Sequence, residues 1–293
     1  MQDSTAKWVY LIVLSIIWGS SFILMKKVLI GLTPMQLGSL RIIFTGIFLF
    51  IVGFKKVKTI KAVEWKWVAL TGLLGTFFPT FFFAYAQTEI DSSVASILNS
   101  LVPLNTVILG FVVFKITSTK RQVLGVFIGL LGAVLLITSG ASLHANQNYL
   151  YVIFIILATV TYASSVNILK RYLQNMQALT IAVGNFMVII IPAFILLVCS
   201  GFFKSDILDS PEFKPALFYL IILSLFGTAI AKVLFNKLVH VATPVFASSV
   251  AYLMPVVAIF WGILDGEKLS FLQIVSSVII LIGVYLSHKP KHQ

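Results

Sequence analysis

The chain has 293 residues, of which 59% are hydrophobic and only 10% are charged, and its mean hydropathy is +1.05. A soluble protein needs far more polar surface than this composition supplies, so the sequence excludes a soluble globular domain. The formal net charge of +12 would suggest nucleic-acid binding in a soluble protein. In a chain this apolar, the basic residues are expected instead to mark the side of the membrane on which each connection lies.

Apolar runs of about 20 residues follow one another along the chain, and each is long enough to cross roughly 30 Å of hydrocarbon. They do not alternate apolar and polar residues with period two, which excludes the strands of a transmembrane β-barrel. We therefore expect an all-α polytopic membrane protein with ten transmembrane helices. The predicted spans are approximately residues 8–26, 34–54, 67–86, 92–114, 122–139, 149–169, 179–201, 216–236, 245–264 and 272–288.

The basic residues are distributed unevenly between the two sides of these spans. With the N-terminus in the cytosol, fourteen of the 21 Lys and Arg residues fall in cytosolic segments and five fall on the opposite side. Two of the opposite connections, 87–91 and 139–148, contain neither Lys nor Arg. This positive-inside bias predicts that both termini are cytosolic. It also explains the net charge without a nucleic-acid partner.

The residues that usually hold metals or perform catalysis are scarce in the predicted spans. Cys199 is the only cysteine, and no Asp or Glu lies inside a span. His288 and His292 have the spacing of a helical metal site, but Pro290 breaks the helix that this spacing requires. We therefore expect no metal, no cofactor and no enzymatic activity, since an integral membrane enzyme would need converging catalytic groups.

The two halves of the chain repeat each other. The segment WGSSFILMKK (18–27) aligns with YASSVNILKR (162–171). Other residues recur 152 positions apart: Gly75, Thr76 and Pro103 are matched by Gly227, Thr228 and Pro255. Because each unit has five helices, an odd number, the second enters the membrane from the opposite side. Such inverted repeats are typical of secondary transporters, with the solute site near the midplane. The predicted five-helix repeats span 8–139 and 149–288.

In their order and spacing, these features resemble the EamA-type family of drug/metabolite transporters. The resemblance covers ten spans in two five-helix units, WGSSF (18–22), LGSLR (37–41), prolines in the fourth and ninth spans, and GEKLSFLQ (266–273) at the tenth. The first repeat departs from it with FKITSTKRQ (114–122), which lacks the Gly-Glu pair. The resemblance implies a transporter of the bacterial cytoplasmic membrane that exports amino acids or other small metabolites.

The candidate solute-binding residues are polar, aromatic or helix-breaking residues near the middle of the predicted spans. Proline has no N–H, so Pro103 and Pro255 free the carbonyls of Asn99 and Ala251 from their helical donors. An unpaired carbonyl is costly in hydrocarbon and is expected to face protein or a water-filled cavity. The cavity candidates are Trp18, Arg41, Phe78, Asn99, Pro103, Tyr162, Asn185, Tyr252 and Pro255.

Two basic residues, Arg41 and Lys232, fall within predicted spans. A charge at membrane depth marks a transport route or a partner. For Lys232 we expect the long side chain to reach the cytosolic interface, whereas Arg41 either reaches the outer headgroups or faces the cavity. A lone cation at the cavity favours solutes that carry a carboxylate. With no buried carboxylate or His to relay protons, facilitated diffusion or exchange is expected, unless a buried lysine takes that role.

Two further alternatives stay open at this stage. The aromatic-rich spans are also consistent with an exporter or flippase of amphipathic drugs or lipids. Gly125, Gly129 and Gly132 form a small-residue face in the fifth span, which favours helix packing within a monomer over a contact in a weak dimer.

Overall fold

The computed structural model of the protein describes residues 2–90, 95, 98–138, 149–204, 206–264 and 271–287. These residues form ten successive helices and contain no β-strand. Most of GEKLSFLQ, the connection 139–148, and His288 and His292 lie outside the described residues. The helices are α1 (Gln2–Val28), α2 (Pro34–Gly53), α3 (Trp65–Ala86), α4 (Val102–Val112), α5 (Lys120–Thr138), α6 (Val152–Tyr172), α7 (Ala178–Cys199), α8 (Phe213–Val241), α9 (Pro244–Ser248 and Val250–Leu264) and α10 (Phe271–Ser287).

Six helices of the described residues are long and apolar enough to cross a membrane, with mean hydropathies between 1.5 and 2.7. They are Thr5–Val28, Pro34–Thr59, Trp65–Ala86, Val152–Tyr172, Ala178–Cys199 and Phe213–Val241. Shorter apolar helices follow at Val102–Val112, Pro244–Val257 and Ile274–Ser287. The predicted all-α polytopic membrane fold is confirmed, and its ten-helix count is consistent with the described helices.

The outer surface of the bundle is apolar, and polar contacts lie inside it. Ile51, Phe111 and Ile191 are 78%, 67% and 65% exposed, on helices α2, α4 and α7. Such surfaces suit lipid, where the backbone polar groups must be satisfied within the helices. Between helices, the hydroxyl of Thr45 in α2 donates a hydrogen bond to the carbonyl of Ser224 in α8 at 3.1 Å.

The helices of the two halves pack reciprocally. Helix α1 packs against α8 and α9 of the second half, and α6 packs against α3 and α4 of the first half. Helix α2 pairs with α7, and α5 pairs with α10. When α1–α5 are matched in order with α6–α10, each of these contacts in one half has an equivalent in the other. The arrangement supports the proposed repeats 8–139 and 149–288, whose inverted relation stays a prediction.

The glycine face of α5 packs against α10 of the same chain. A Cβ atom built on Gly125 would lie 2.6 Å from the backbone nitrogen of Ser287, and one on Gly132 would lie 2.8 Å from that of Ile280. A side chain at either position would collide with backbone, so glycine permits this close approach. The small residues therefore serve packing within the chain.

Candidate functional site

A cavity of about 130 Å³ lies between the two halves. It is lined by α1, α2, α3, α6, α8 and α9, by Val102 at the beginning of α4, and by Asn99, which precedes α4. This volume is roughly ten times what a single buried water needs. Most of the lining is apolar or aromatic, with polar groups at a few positions, as is usual for a small-molecule site.

Two π-helical turns bring backbone to this cavity. They are Leu73–Phe77 within α3 and Leu225–Ile230 within α8, and they begin 152 positions apart. Each contains a Gly-Thr pair, and both pairs line the cavity. A π turn disturbs the regular helical hydrogen bonding and is frequent at functional sites. The repeat thus places the same backbone irregularity on both sides of the cavity.

The π turn of α8 is bound by two side chains from the first half. The indole N–H of Trp18 donates a hydrogen bond to the carbonyl of Gly227 at 3.0 Å. Nε of Arg41 donates one to the hydroxyl oxygen of Thr228 at 2.8 Å, and this hydroxyl in turn donates to the carbonyl of Leu223 at 3.3 Å. The π turn therefore fixes the positions of Trp18 and Arg41 at the cavity.

The π turn of α3 is bound more weakly. Pro79 has no N–H, so the carbonyl of Gly75 lacks its helical donor. Nζ of Lys232 donates a hydrogen bond to this carbonyl at 3.4 Å. The hydroxyl of Thr76, next in the chain, is buried without a hydrogen-bond partner. The polar groups on this side of the cavity therefore have fewer and longer hydrogen bonds than those of the α8 turn.

Lys232 lies at the cavity and not at the cytosolic interface, so that prediction was wrong. Its side chain is only 8% exposed and lines the cavity. Val241, at the end of α8, lies nine positions further along the chain, roughly 14 Å along a helix that rises 1.5 Å per residue. This distance is too long for a lysine side chain to span. The sequence prediction placed Lys232 too close to the helix end.

Two serines explain why both π turns carry glycine. The hydroxyl of Ser165 in α6 lies where a Cβ atom of Gly75 would stand. The hydroxyl of Ser21 in α1 lies 2.8 Å from a Cβ built on Gly227. Sequence reasoning used the Gly-Thr pairs only as evidence for the repeat and missed their place at the cavity. The signal was available, because both the Gly-Thr pairs and these serines recur between the repeats.

Four of the nine predicted candidates line the cavity: Trp18, Arg41, Asn99 and Tyr162. The amide Nδ2 of Asn99 lies 3.7 Å from the sulfur of Met254, a weak acceptor. The Tyr162 ring lies 6.2 Å, centroid to centroid, from that of Phe83, another lining residue. A role for these four side chains in solute binding stays a prediction.

Three other candidates lie away from the cavity lining. Tyr252 is fully buried, and its hydroxyl donates a hydrogen bond to the carbonyl of Val126 in α5 at 2.8 Å. Asn185 is also fully buried and donates its amide to the hydroxyl oxygen of Thr71 at 2.9 Å. Phe78 is 38% exposed and packs its ring against neighbouring phenylalanines. The contacts of Tyr252 and Asn185 hold helices together.

The two prolines that the repeat singled out do not line the cavity either. Helix α4 begins at Val102, so Pro103 stands in its first turn, where an N–H has no helical acceptor. The chain turns at residues 100–101, between Asn99 and Pro103, so the span is interrupted directly after Asn99. Pro255 lies inside the second segment of α9, whose interruption at Ser249 comes six residues earlier.

The polar side of the cavity has positively charged groups without acidic neighbours in its lining. Arg41 and Lys232 both contribute to it, whereas none of the described lining residues is Asp or Glu. Among the described residues, no group of three His, Cys, Asp or Glu side chains is arranged to hold a metal ion. A low-dielectric interior with two basic groups favours an anion.

The chain is similar in sequence to known membrane transporters. The EamA-like transporter family matches the chain twice, at residues 6–138 and 149–288. The uncharacterized inner membrane transporter YedA of Escherichia coli (strain K12) is 26% identical over 284 residues, covering 94% of this chain and 88% of that protein. An uncharacterized transporter of Archaeoglobus fulgidus is 28% identical over 287 residues, covering 95% of this chain and 96% of its own.

A solved crystal structure has the same fold, with a TM-score of 0.72 at 17% sequence identity, covering 97% of this chain and 96% of the other. The family match spans both halves, and the described helices and the cavity between them suit a carrier of small solutes. The chain therefore belongs to the EamA-like transporter family and is a polytopic membrane transporter.

Proposed function

We propose that the protein exports small solutes that carry a carboxylate, namely amino acids or related metabolites, from the cytosol. The observation that carries this proposal is the position of Arg41 in a cavity shared by both halves. Its hydrogen bond to Thr228 uses Nε, one of five N–H donors, and a guanidinium binds carboxylates in a bidentate manner. Trp18 and Tyr162 add aromatic surface for the apolar part of such a solute.

Transport proceeds by alternating access, as the two reciprocally packed halves move against each other around the cavity. The mode is facilitated diffusion or exchange, because no described lining residue is a carboxylate or a His. The positive-inside bias supports cytosolic termini. The name of the Escherichia coli relative supports a place in the bacterial inner membrane.

Efflux from proteoliposomes tests this proposal. Purified protein is reconstituted, the vesicles are loaded with a panel of radiolabelled amino acids and other carboxylates, and the loss of each solute is timed. Arg41→Gln is expected to slow the efflux of accepted solutes about tenfold or more, since a charge-assisted bond is lost. Arg171→Gln, at an exposed position on α6, is the matched control and is expected to retain wild-type efflux.

Two results would contradict the proposal. One is wild-type efflux by the Arg41→Gln protein, which would remove Arg41 from the solute site. The other is a panel in which no carboxylate leaves the wild-type vesicles faster than empty-liposome controls.

Export of amphipathic drugs or lipids is a second candidate, favoured by the apolar walls of the cavity. Phe22, Phe83 and Phe235 all line it. A cationic amphipathic dye in the same vesicles separates the two candidates. If the dye is the solute, its efflux persists or rises in Arg41→Gln, because the variant removes a repelling charge.

A further inference from the structure

We propose that the cavity prefers solutes with two acidic groups, one bound by Arg41 and the other by Lys232. This inference rests on the proposed transport of carboxylates and names the class of carboxylate. It extends the expectation of a single cation at the site, because the structure brings a second basic residue to the same lining.

The two basic residues reach the cavity from different helices, Arg41 from α2 and Lys232 from α8. Arg41 is hydrogen-bonded to Thr228, and Lys232 follows Thr228 by four residues. Both side chains line the same cavity of about 130 Å³, so they face one small space. Two acidic groups separated by a few bonds therefore reach both cations from within one small molecule.

Lys232 is available to a solute because its present contact is weak. Its Nζ lies 3.4 Å from the carbonyl of Gly75, longer than the usual 2.7–3.2 Å of an N–H···O bond. The adjacent hydroxyl of Thr76 is buried and has no hydrogen-bond partner. An acidic group at this place would accept a charge-assisted hydrogen bond from Lys232, which is stronger than the long bond to the Gly75 carbonyl.

The two basic residues of the cavity also favour a solute with two acidic groups. A basic side chain at membrane depth is costly unless it is paired. A solute with one acidic group pairs with one of the two cations, and a zwitterion adds a third positive group. Only a solute with two acidic groups pairs with both Arg41 and Lys232, since no described lining residue is acidic.

Equilibrium binding to the purified full-length protein in detergent tests the inference. The probes are phenylsuccinate with two carboxylates, 4-phenylbutyrate with one, and phenylalanine as a zwitterion, each titrated by isothermal calorimetry. We expect phenylsuccinate to bind about tenfold or more tightly than 4-phenylbutyrate. Lys232→Met should lower the affinity for phenylsuccinate by a similar factor. It should change the affinity for 4-phenylbutyrate by less than about threefold.

Two further variants make the result interpretable. Lys237→Met removes an exposed lysine from the same helix and should leave the ratio of the two affinities unchanged. Lys232→Thr introduces the residue that the first repeat has at the matching position, Thr80, and serves if Lys232→Met does not fold. Lys232→Thr should lower the ratio of the affinities for phenylsuccinate and 4-phenylbutyrate as Lys232→Met does.

Each outcome decides one question. Equal affinities for the two acids, or a ratio that survives both substitutions of Lys232, would overturn the preference for two acidic groups and leave carboxylate transport standing. If none of the three probes binds and no carboxylate leaves the proteoliposomes, the proposed function itself fails.

Discussion

The π turns of α3 and α8 stand at equivalent places in the two halves, yet their polar groups are bound differently. At the α8 turn, the carbonyl of Gly227 and the hydroxyl of Thr228 receive short hydrogen bonds from Trp18 and Arg41. At the α3 turn, one long contact reaches the carbonyl and the threonine hydroxyl has no partner. The polar groups of the α8 turn are therefore held by the protein itself, whereas those of the α3 turn are only partly satisfied.

Two pairs of matched positions create this difference. Arg41 in the first half corresponds to Asn185 in the second, at the offset of 144 that also relates Trp18 to Tyr162. Lys232 in the second half corresponds to Thr80 in the first, at the offset of 152. Each half thus contributes one cation to the cavity, and the matching residue in the other half is neutral. A nearly symmetric framework holds an asymmetric arrangement of charge.

The largest expected effect is the loss of stability when either glycine of the two π turns is replaced by alanine. Gly75→Ala and Gly227→Ala should each lower the free energy of unfolding by about 1–3 kcal/mol, because the new Cβ atom overlaps a serine side chain. Thermal unfolding in detergent, followed by fluorescence-detected gel filtration, measures the loss.

A second substitution, at the serine that faces each glycine, should rescue the glycine variant of α8 but not that of α3. Ser21→Ala should restore most of the stability of Gly227→Ala, because it removes the hydroxyl and leaves the Ser21 Cβ at 3.8 Å, and the other close atom, Leu223 Cδ1 at 3.0 Å, is the end of a rotatable side chain. Ser165→Ala should not rescue Gly75→Ala, because the Ser165 Cβ itself lies 2.9 Å away. Equal rescue at both turns would show that the two contacts are alike.

An intermediate effect is expected at the matched positions of Arg41 and Asn185. Asn185→Leu should destabilise the protein by roughly 1–2 kcal/mol, because it removes the amide bonds to Thr71 and to the carbonyl of Val68. Solute affinity of the folded fraction should stay at the wild-type value. Arg41→Gln should do the reverse and lower affinity with little change in melting temperature. A loss of affinity in Asn185→Leu would mean that both positions contact the solute.

The smallest effect is expected at Tyr252. Tyr252→Phe removes the hydrogen bond to the carbonyl of Val126, which should cost roughly 0.6 kcal/mol in a membrane helix bundle. Solute affinity should not change, because the side chain does not line the cavity. Trp18→Phe is the comparison, since it removes a hydrogen bond at the cavity wall and should alter affinity. The role assigned to Tyr252 fails if its variant weakens binding as much as Trp18→Phe does.

The sequence predicted the helices well because the physics of a span is local. A run of apolar residues long enough to cross hydrocarbon is visible in composition alone, so the predicted span 179–201 differs little from the observed Ala178–Cys199. Repeats then indicated a site between the halves, and Trp18 and Tyr162 were found at the cavity from the matched positions of aromatic residues.

The direction in which a side chain points was harder to predict. In a soluble helix a polar stripe marks the outer face, but a membrane helix is apolar on both faces and gives no such periodicity. Tyr252 was therefore assigned to the cavity although it packs on Gly129 of α5, and Lys232 was assigned to the interface although it lies inside. The π turns had no sequence signal beyond a Gly-Thr pair that recurs.

The glycine contact between α5 and α10 has a consequence for biosynthesis. Gly129 and Gly132 of α5 meet Gly283 and Ile280 of α10, which is made about 150 residues later. At ~5–20 residues per second, translation takes roughly 8 to 30 s to supply that partner. During this interval the glycine face of α5 lacks its α10 partner, so α5 reaches its final packing only after α10 has been made. The packing of the first half thus depends on a helix of the second half.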